Sequence, residues 1–251
     1  MDTAIDTAGA PPAIPEMDLF RVGGLAGVAG GILAIAANAL HPRLSSGDLD
    51  DTEEFLDMVA DYSLWRLDHL AIIVSLVLGV VAAVALARSI SDLPAAAWAR
   101  IALAVTLVTG GVAAASFSID GFVMAGVAED WADATGAGRA VMLERAETLE
   151  YVDIALFSVT IIGLFGVAQL LYGLAFWQSS FYPNWIGSVA LVAGVVGLAS
   201  GAWMWLSGEI GVGNFLVLFS ITSVLFAVWL LAGSVLLLRR SRAPDLATVQ
   251  P

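Results

Sequence analysis

Along the chain, long apolar runs alternate with short polar breaks, and six of the runs are long enough to cross a membrane. Spanning ~30 Å of hydrocarbon takes about 20 apolar residues at helical rise, and the runs at 19–41, 66–90, 96–126, 150–177, 183–206 and 211–238 meet that length. The pattern predicts an all-α, six-helix transmembrane bundle, with no connection long enough to fold as a separate soluble domain. Residues 1–18, MDTAIDTAGAPPAIPEMD, carry acids and prolines where a cleavable leader has a basic start and an apolar middle. They read as a short disordered tail before a first span that stays in the protein, and 239–251 as a second tail.

Two connections carry helical pattern of their own. In the first, Phe55, Met58, Val59, Tyr62 and Trp65 recur at helical spacing opposite Glu54, Asp57 and Asp61, and Asp50 with Glu53 forms a candidate capping pair. Such a segment would lie in the headgroup layer or cap the mouth of the bundle. In the third, Gly136 and Gly138 break the chain, and a helical run from Arg139 leads straight into the fourth span. The connections at Pro94 and at Tyr182-Pro183-Asn184 are tight.

Composition agrees with the pattern: 59% of the 251 residues are hydrophobic and 13% charged, against about half and a quarter in soluble domains. Cysteine is absent, which removes disulfides, thiolate metal sites and thiol nucleophiles. Lysine is absent too, so a retinal Schiff base has no attachment point. The net charge of −13 argues against nucleic acid or an anionic surface as partner. The expected surroundings are the lipid bilayer, with a homo-oligomer or a second membrane protein as further partners.

The ten arginines set an orientation. Arg21, Arg88, Arg100, Arg239, Arg240 and Arg242 fall on the side of the termini, and Arg43, Arg66, Arg139 and Arg145 on the other. The excess predicts cytoplasmic termini in a multi-pass protein of the cell membrane. Of the 23 acids, only Asp2, Asp6, Glu16, Asp18, Asp92 and Asp245 share the terminal side. Trp65, Trp98, Trp131, Trp177, Trp185, Trp203 and Trp205 fall near span ends, where tryptophan anchors a helix at the interface, while Trp229 lies deep.

Several polar residues interrupt the spans, and they gather toward the outer end. Ala34, Asn38 and His41 line the first span, and Asp68, Ser75, Gly79 and Ala82 one face of the second, with His69 turned toward Ile72 and Leu76. The third span carries the stripe Thr106, Thr109, Ala113, Ser116, Asp120, and the fourth opens with Glu147, Glu150 and Asp153. A polar stripe facing lipid is costly, so these faces are expected to meet. Toward the inner side only Gln169 is polar, and no continuous charged path crosses the membrane.

Asp120, Asp68, His69, Asp153, Asn38, His41 and Glu150 are therefore the candidates for a ligand or ion pocket open to the outside. Imidazole and carboxylate suit a divalent metal, with His69, Asp120 and Asp153 as the candidate ligands. Two histidines in the first two spans also raise the question of a haem between them. A structural reading competes at several positions. His41 before Pro42 is favoured by a helix C-terminus, and Asp68, Glu150 and Asp153 by helix starts, with Arg66 as a shared counter-charge. Asp120 lies inside its span and neither helix end accounts for it. A hydrolase would need Ser116 or Ser118 paired with His69, and no catalytic residue is otherwise evident.

Gly23-x-x-x-Gly27-x-x-x-Gly31 in the first span and Gly197-x-x-x-Gly201 in the fifth predict close helix contacts, inside one chain or between chains. The segment Leu171-Tyr172-Gly173-Leu174-Ala175-Phe176-Trp177-Gln178-Ser179, followed by Tyr182-Pro183-Asn184-Trp185-Ile186-Gly187 and Leu191-Val192-Ala193-Gly194, resembles a family of bacterial six-helix membrane proteins of unknown function. Those share a tyrosine-rich fourth helix, a Gln-Ser turn and a glycine-rich fifth helix. The resemblance implies the six-helix topology and no activity. The expected function is binding or transport of a small cation, metal or polar solute at the outer pocket. The alternative is a non-catalytic membrane scaffold that associates through its glycine-rich helices. Two inverted three-helix halves would suit a transporter, but the halves show no sequence repeat.

Overall fold

A computed structural model describes residues 16–42, 51–207 and 214–242. The chain is all-α among these residues, with seven helices: α1 (Glu16–Leu40), α2 (Thr52–Asp61), α3 (Trp65–Ser89), α4 (Ala95–Asp133), α5 (Ala137–Gln178), α6 (Asn184–Ser207) and α7 (Asn214–Arg240). All except α2 are long and apolar enough to cross a membrane. This is a multi-pass integral membrane protein, with both ends of the bundle chain on one side.

The helices differ from the expected spans mainly at the outer side. α1 begins at Glu16, so Glu16–Asp18 are helical instead of part of a tail. The third span, expected to stop near 126, continues to Asp133, and the helical run expected from Arg139 begins at Ala137 and continues without a break into the fourth span. The extensions are amphipathic, with Glu129, Asp130 and Asp133 exposed and Ala128, Trp131 and Ala146 buried, a pattern that a search for apolar length alone does not register. Each long helix contains one wider π turn, Ile119–Met124 in α4 and Ile161–Val167 in α5. The cap of α2 is Asp51, which accepts from the Glu54 backbone N–H at 3.0 Å, instead of the expected Asp50 and Glu53. Asp50 lies outside the described residues.

Neighbours in the ring of spanning helices follow chain order, α1–α3–α4–α5–α6–α7, and α7 closes back on α1. Glycines allow the closest approaches. A Cβ at Gly23 would collide with Ala85 of α3, at Gly27 with Ser234 of α7 and Ala82 of α3, and at Gly31 with Leu231 of α7. On the opposite side of the ring, Gly197 lies on the Phe165 carbonyl and Gly201 on Ile162. Both glycine seams therefore close within one chain, the closest packing that lipid permits, and these contacts are already taken.

The inner half of the ring is filled by apolar side chains. Ala82, Ala85, Ala99, Ala102 and Ala190 keep the helices close around Tyr172, Phe176, Tyr182 and Trp229. Phe176 stacks on Tyr182 at 4.1 Å and Tyr172 lies 5.1 Å from Trp229. The Tyr182 hydroxyl and the Ser89 hydroxyl are 2.7 Å apart, and burial pushes the Tyr182 phenol above its usual range. Arg240 donates to the Ser89 carbonyl at 2.7 Å with its guanidinium over Phe181. Nearby, the Ser180 backbone N–H and hydroxyl both donate to Asp92, which holds that carboxyl below its usual range.

At the outer end α2 lies across the bundle mouth. Leu56 and Val59 pack with Trp65, Met124, Ala128, Trp131 and Ala146, so the segment is a cap on the bundle. Trp65 and Trp131 are buried in this cap and do not act as the interfacial anchors expected of them, because each indole N–H has an internal acceptor. Trp131 donates to Asp57 at 2.7 Å and Trp65 to the Asp120 backbone carbonyl at 2.9 Å. Trp177, Trp185, Trp203 and Trp205 are exposed at the helix ends.

Replacing Gly27 by Leu should destabilise the bundle by about 1–3 kcal/mol, since the added side chain has no space. Gly111→Ala, at a helix position with open space around it, should be neutral or stabilise by up to about 1 kcal/mol. Thermal unfolding of both variants in one detergent checks the pair.

Candidate metal centre

The outer polar residues converge from three elements. His41 follows the last turn of α1, His69 lies in the second turn of α3, and Asp120 lies in the π turn of α4. Tyr62 pins the end of α1 by donating to the Leu40 carbonyl at 3.2 Å, which fixes the chain entering His41. The Trp65 ring covers both histidines, at 5.1 Å from His41 and 4.6 Å from His69, and the two imidazoles stand edge to face at 5.2 Å. With the rings in direct contact, no gap of porphyrin width separates them.

The hydrogen bonds assign the ring nitrogens. His69 Nδ1 is 2.9 Å from the Trp65 carbonyl and His41 Nδ1 is 2.9 Å from the Pro42 carbonyl. A carbonyl only accepts, so both Nδ1 atoms carry hydrogen and each Nε2 is the nitrogen left to act as a donor atom. His69 Nε2 lies 2.9 Å from Asp120 Oδ2. With Nδ1 already protonated, that contact needs a second proton, shared between imidazole and carboxylate. One donor atom from each of His41, His69 and Asp120 lies within 4.8 Å of the others. His69 is buried, while Asp120 keeps 25% of its side chain exposed.

Asp68 completes the electrostatics. It is 7% exposed, its Oδ2 has no hydrogen-bond partner, and both histidines are within electrostatic reach. A buried, unpaired carboxylate oxygen is costly unless a cation stands near it.

The remaining candidates stand around the triple. Asp153 is half-buried, accepts from Ser116 at 2.5 Å and lies within electrostatic reach of Asp120, His69 and Glu150, beside the donor triple that His41 completes. Glu150 accepts from Thr52 at 3.0 Å and ties α5 to α2. Asn38 is exposed and donates to the Ala34 carbonyl of its own helix at 2.8 Å, away from the site. Arg66 pairs with Glu129 at 2.8 Å and with none of the site acids. His69 points at Asp120 instead of toward Ile72 and Leu76. Neither serine meets it: Ser116 donates to Asp153, and Ser118 is exposed and donates to the Ala114 carbonyl.

Gly121 is the residue that sequence reasoning missed. A Cβ there would collide with His69 Cβ and Cγ. Glycine at this position lets α4 approach α3 closely enough for Asp120 to reach the imidazole. The surrounding π turn widens the helix at the same point, a distortion frequent at functional sites. The visible signal was an Asp-Gly pair inside an apolar span.

No protein-family model, curated protein or solved structure matches this chain.

Gly121→Ala should destabilise the protein by about 1–3 kcal/mol through overpacking and break the His69–Asp120 contact. Nitrogen NMR of labelled histidine should then show one imidazole changing its protonation pattern. Gly126→Ala, with open space around it, serves as the control and should leave both readouts unchanged.

Proposed function

We propose that this integral membrane protein binds a divalent first-row transition metal at its outer end, with His41, His69 and Asp120 as ligands. The observation that carries the reading is the donor triple itself: one ligand atom from each of three residues within 4.8 Å, with both imidazoles oriented by Nδ1–carbonyl hydrogen bonds. That second layer of hydrogen bonds is the usual way a metal-binding histidine is oriented. Ligands about 2.0 Å from a tetrahedral ion are about 3.3 Å apart, so small side-chain movements close the site.

Donor chemistry favours this class of ion. Magnesium and calcium prefer oxygen ligands, whereas imidazole suits zinc, iron, nickel and copper. Charge agrees as well. A dication with Asp120 leaves one positive charge, which the buried Asp68 carboxylate balances. Binding would displace the proton between His69 and Asp120. Three protein ligands leave a further coordination position for water or solute on the exposed side of Asp120.

Binding is favoured over conduction by the filled inner half, where alanines and the aromatic cluster of Tyr172, Phe176 and Trp229 occupy the bundle axis. The arginine excess on the terminal side supports cytoplasmic termini in the cell membrane, which would open the site to the exterior.

The purified chain should bind one equivalent of zinc, and cobalt should give visible absorption bands of a low-symmetry nitrogen–oxygen site. His41→Ala, His69→Ala and Asp120→Asn should each weaken binding by at least about tenfold. Affinity should fall as pH is lowered, because protons compete with the metal for the imidazole and carboxylate ligands. A wild-type protein that binds no zinc, cobalt, nickel or ferrous iron at neutral pH overturns the proposal.

A further inference from the structure

At the opposite end of the bundle, a groove of about 330 Å³ runs between α1 and α7, lined by Arg21, Leu25, Leu238, Ser241 and Arg242. Its composition is graded along the membrane normal. The two guanidiniums and the Ser241 hydroxyl stand at the helix ends. Leu25 is one turn farther in, about 6 Å at helical rise, and is 53% exposed beside Leu238. A charged rim above an apolar wall is the profile of a phospholipid, with its phosphate at the rim and its chain against the leucines.

The charges at the rim are unspent. Among the described residues neither Arg21 nor Arg242 forms an ion pair; the acid–arginine pairs all lie at the outer end, at Arg66–Glu129 and Arg139–Asp57. Arg240 shows the contrast, since the Ser89 carbonyl and the Phe20 and Phe181 rings engage it. The net charge of −13 does not describe this end, where six of the ten arginines stand with only six of the 23 acids.

We infer that the groove between α1 and α7 holds the phosphate headgroup of an anionic phospholipid from the leaflet on the terminal side, clamped by Arg21 and Arg242. Guanidinium is suited to this ligand: its planar fork meets phosphate oxygens two at a time. Basic pockets between helices at that level bind anionic headgroups. A single clamped lipid would also bridge the seam where the first and last helices close the ring.

The test is native mass spectrometry of the full chain released from nanodiscs containing phosphatidylglycerol and phosphatidylcholine. Wild type should retain phosphatidylglycerol in preference. Arg21→Gln with Arg242→Gln should reduce that preference by roughly 25-fold, since each arginine near the surface contributes about fivefold. Arg100→Gln, exposed at the same end on α4 and outside the groove, should leave it intact. Leu25→Asn should shorten lipid retention with both arginines in place. Equal retention of the two lipids by wild type, or undiminished preference in the double variant, overturns the inference. Displacement of the lipid by millimolar glycerol phosphate also overturns it, by making free phosphate the ligand.

Discussion

A carboxylate inside an apolar layer has to be matched by a partner, and the outer half of this protein is arranged around that requirement at Asp120. Its neighbour in space is His69, at 2.9 Å, and the contact exists only because α3 and α4 come together without a side chain at Gly121. The Trp65 indole N–H donates to the Asp120 backbone carbonyl within the π turn. One proton shared by imidazole and carboxylate makes the pair tolerable in a low dielectric. The same proton is what a metal cation would replace.

The two halves of the bundle solve the packing problem differently. Toward the termini, alanines bring the helices close and four aromatic rings fill the middle, so dispersion and glycine contacts hold the ring closed. Toward the outside the helices carry polar groups, and α2 with the extensions of α4 and α5 covers them. The cap is itself held by charges at its rim, where Arg139 lies over Trp131 at 3.9 Å and Trp131 binds Asp57.

Much of this was legible in the residues. Six apolar runs imply six spans, because chain in hydrocarbon has to satisfy its own backbone. Asp120 stood out since no helix end accounts for it, and the cluster of Asp68, His69 and Asp120 at one end follows from span direction alone. Partners were less legible. Asp153 shares the end and the chemistry of the site and stands beside it, with one oxygen held by Ser116. His41 reads as a helix-end histidine, yet the turn at Pro42 carries it beneath Trp65. Which donor atoms meet is decided by side-chain positions that helical spacing does not resolve.

Sequence by itself determined the class of the protein, the number of spans, the common side of the termini and the end at which ionisable groups collect, because these follow from hydrophobic length and from the cost of charge in lipid. Tertiary structure decided which three donors meet and where the glycine seams close. It also showed that Trp65 and Trp131 serve a buried cap instead of an interface. Those outcomes depend on how far two helices can approach and on the local widening at Ile119–Met124, and such quantities belong to pairs of helices packed together, not to any one segment of the chain.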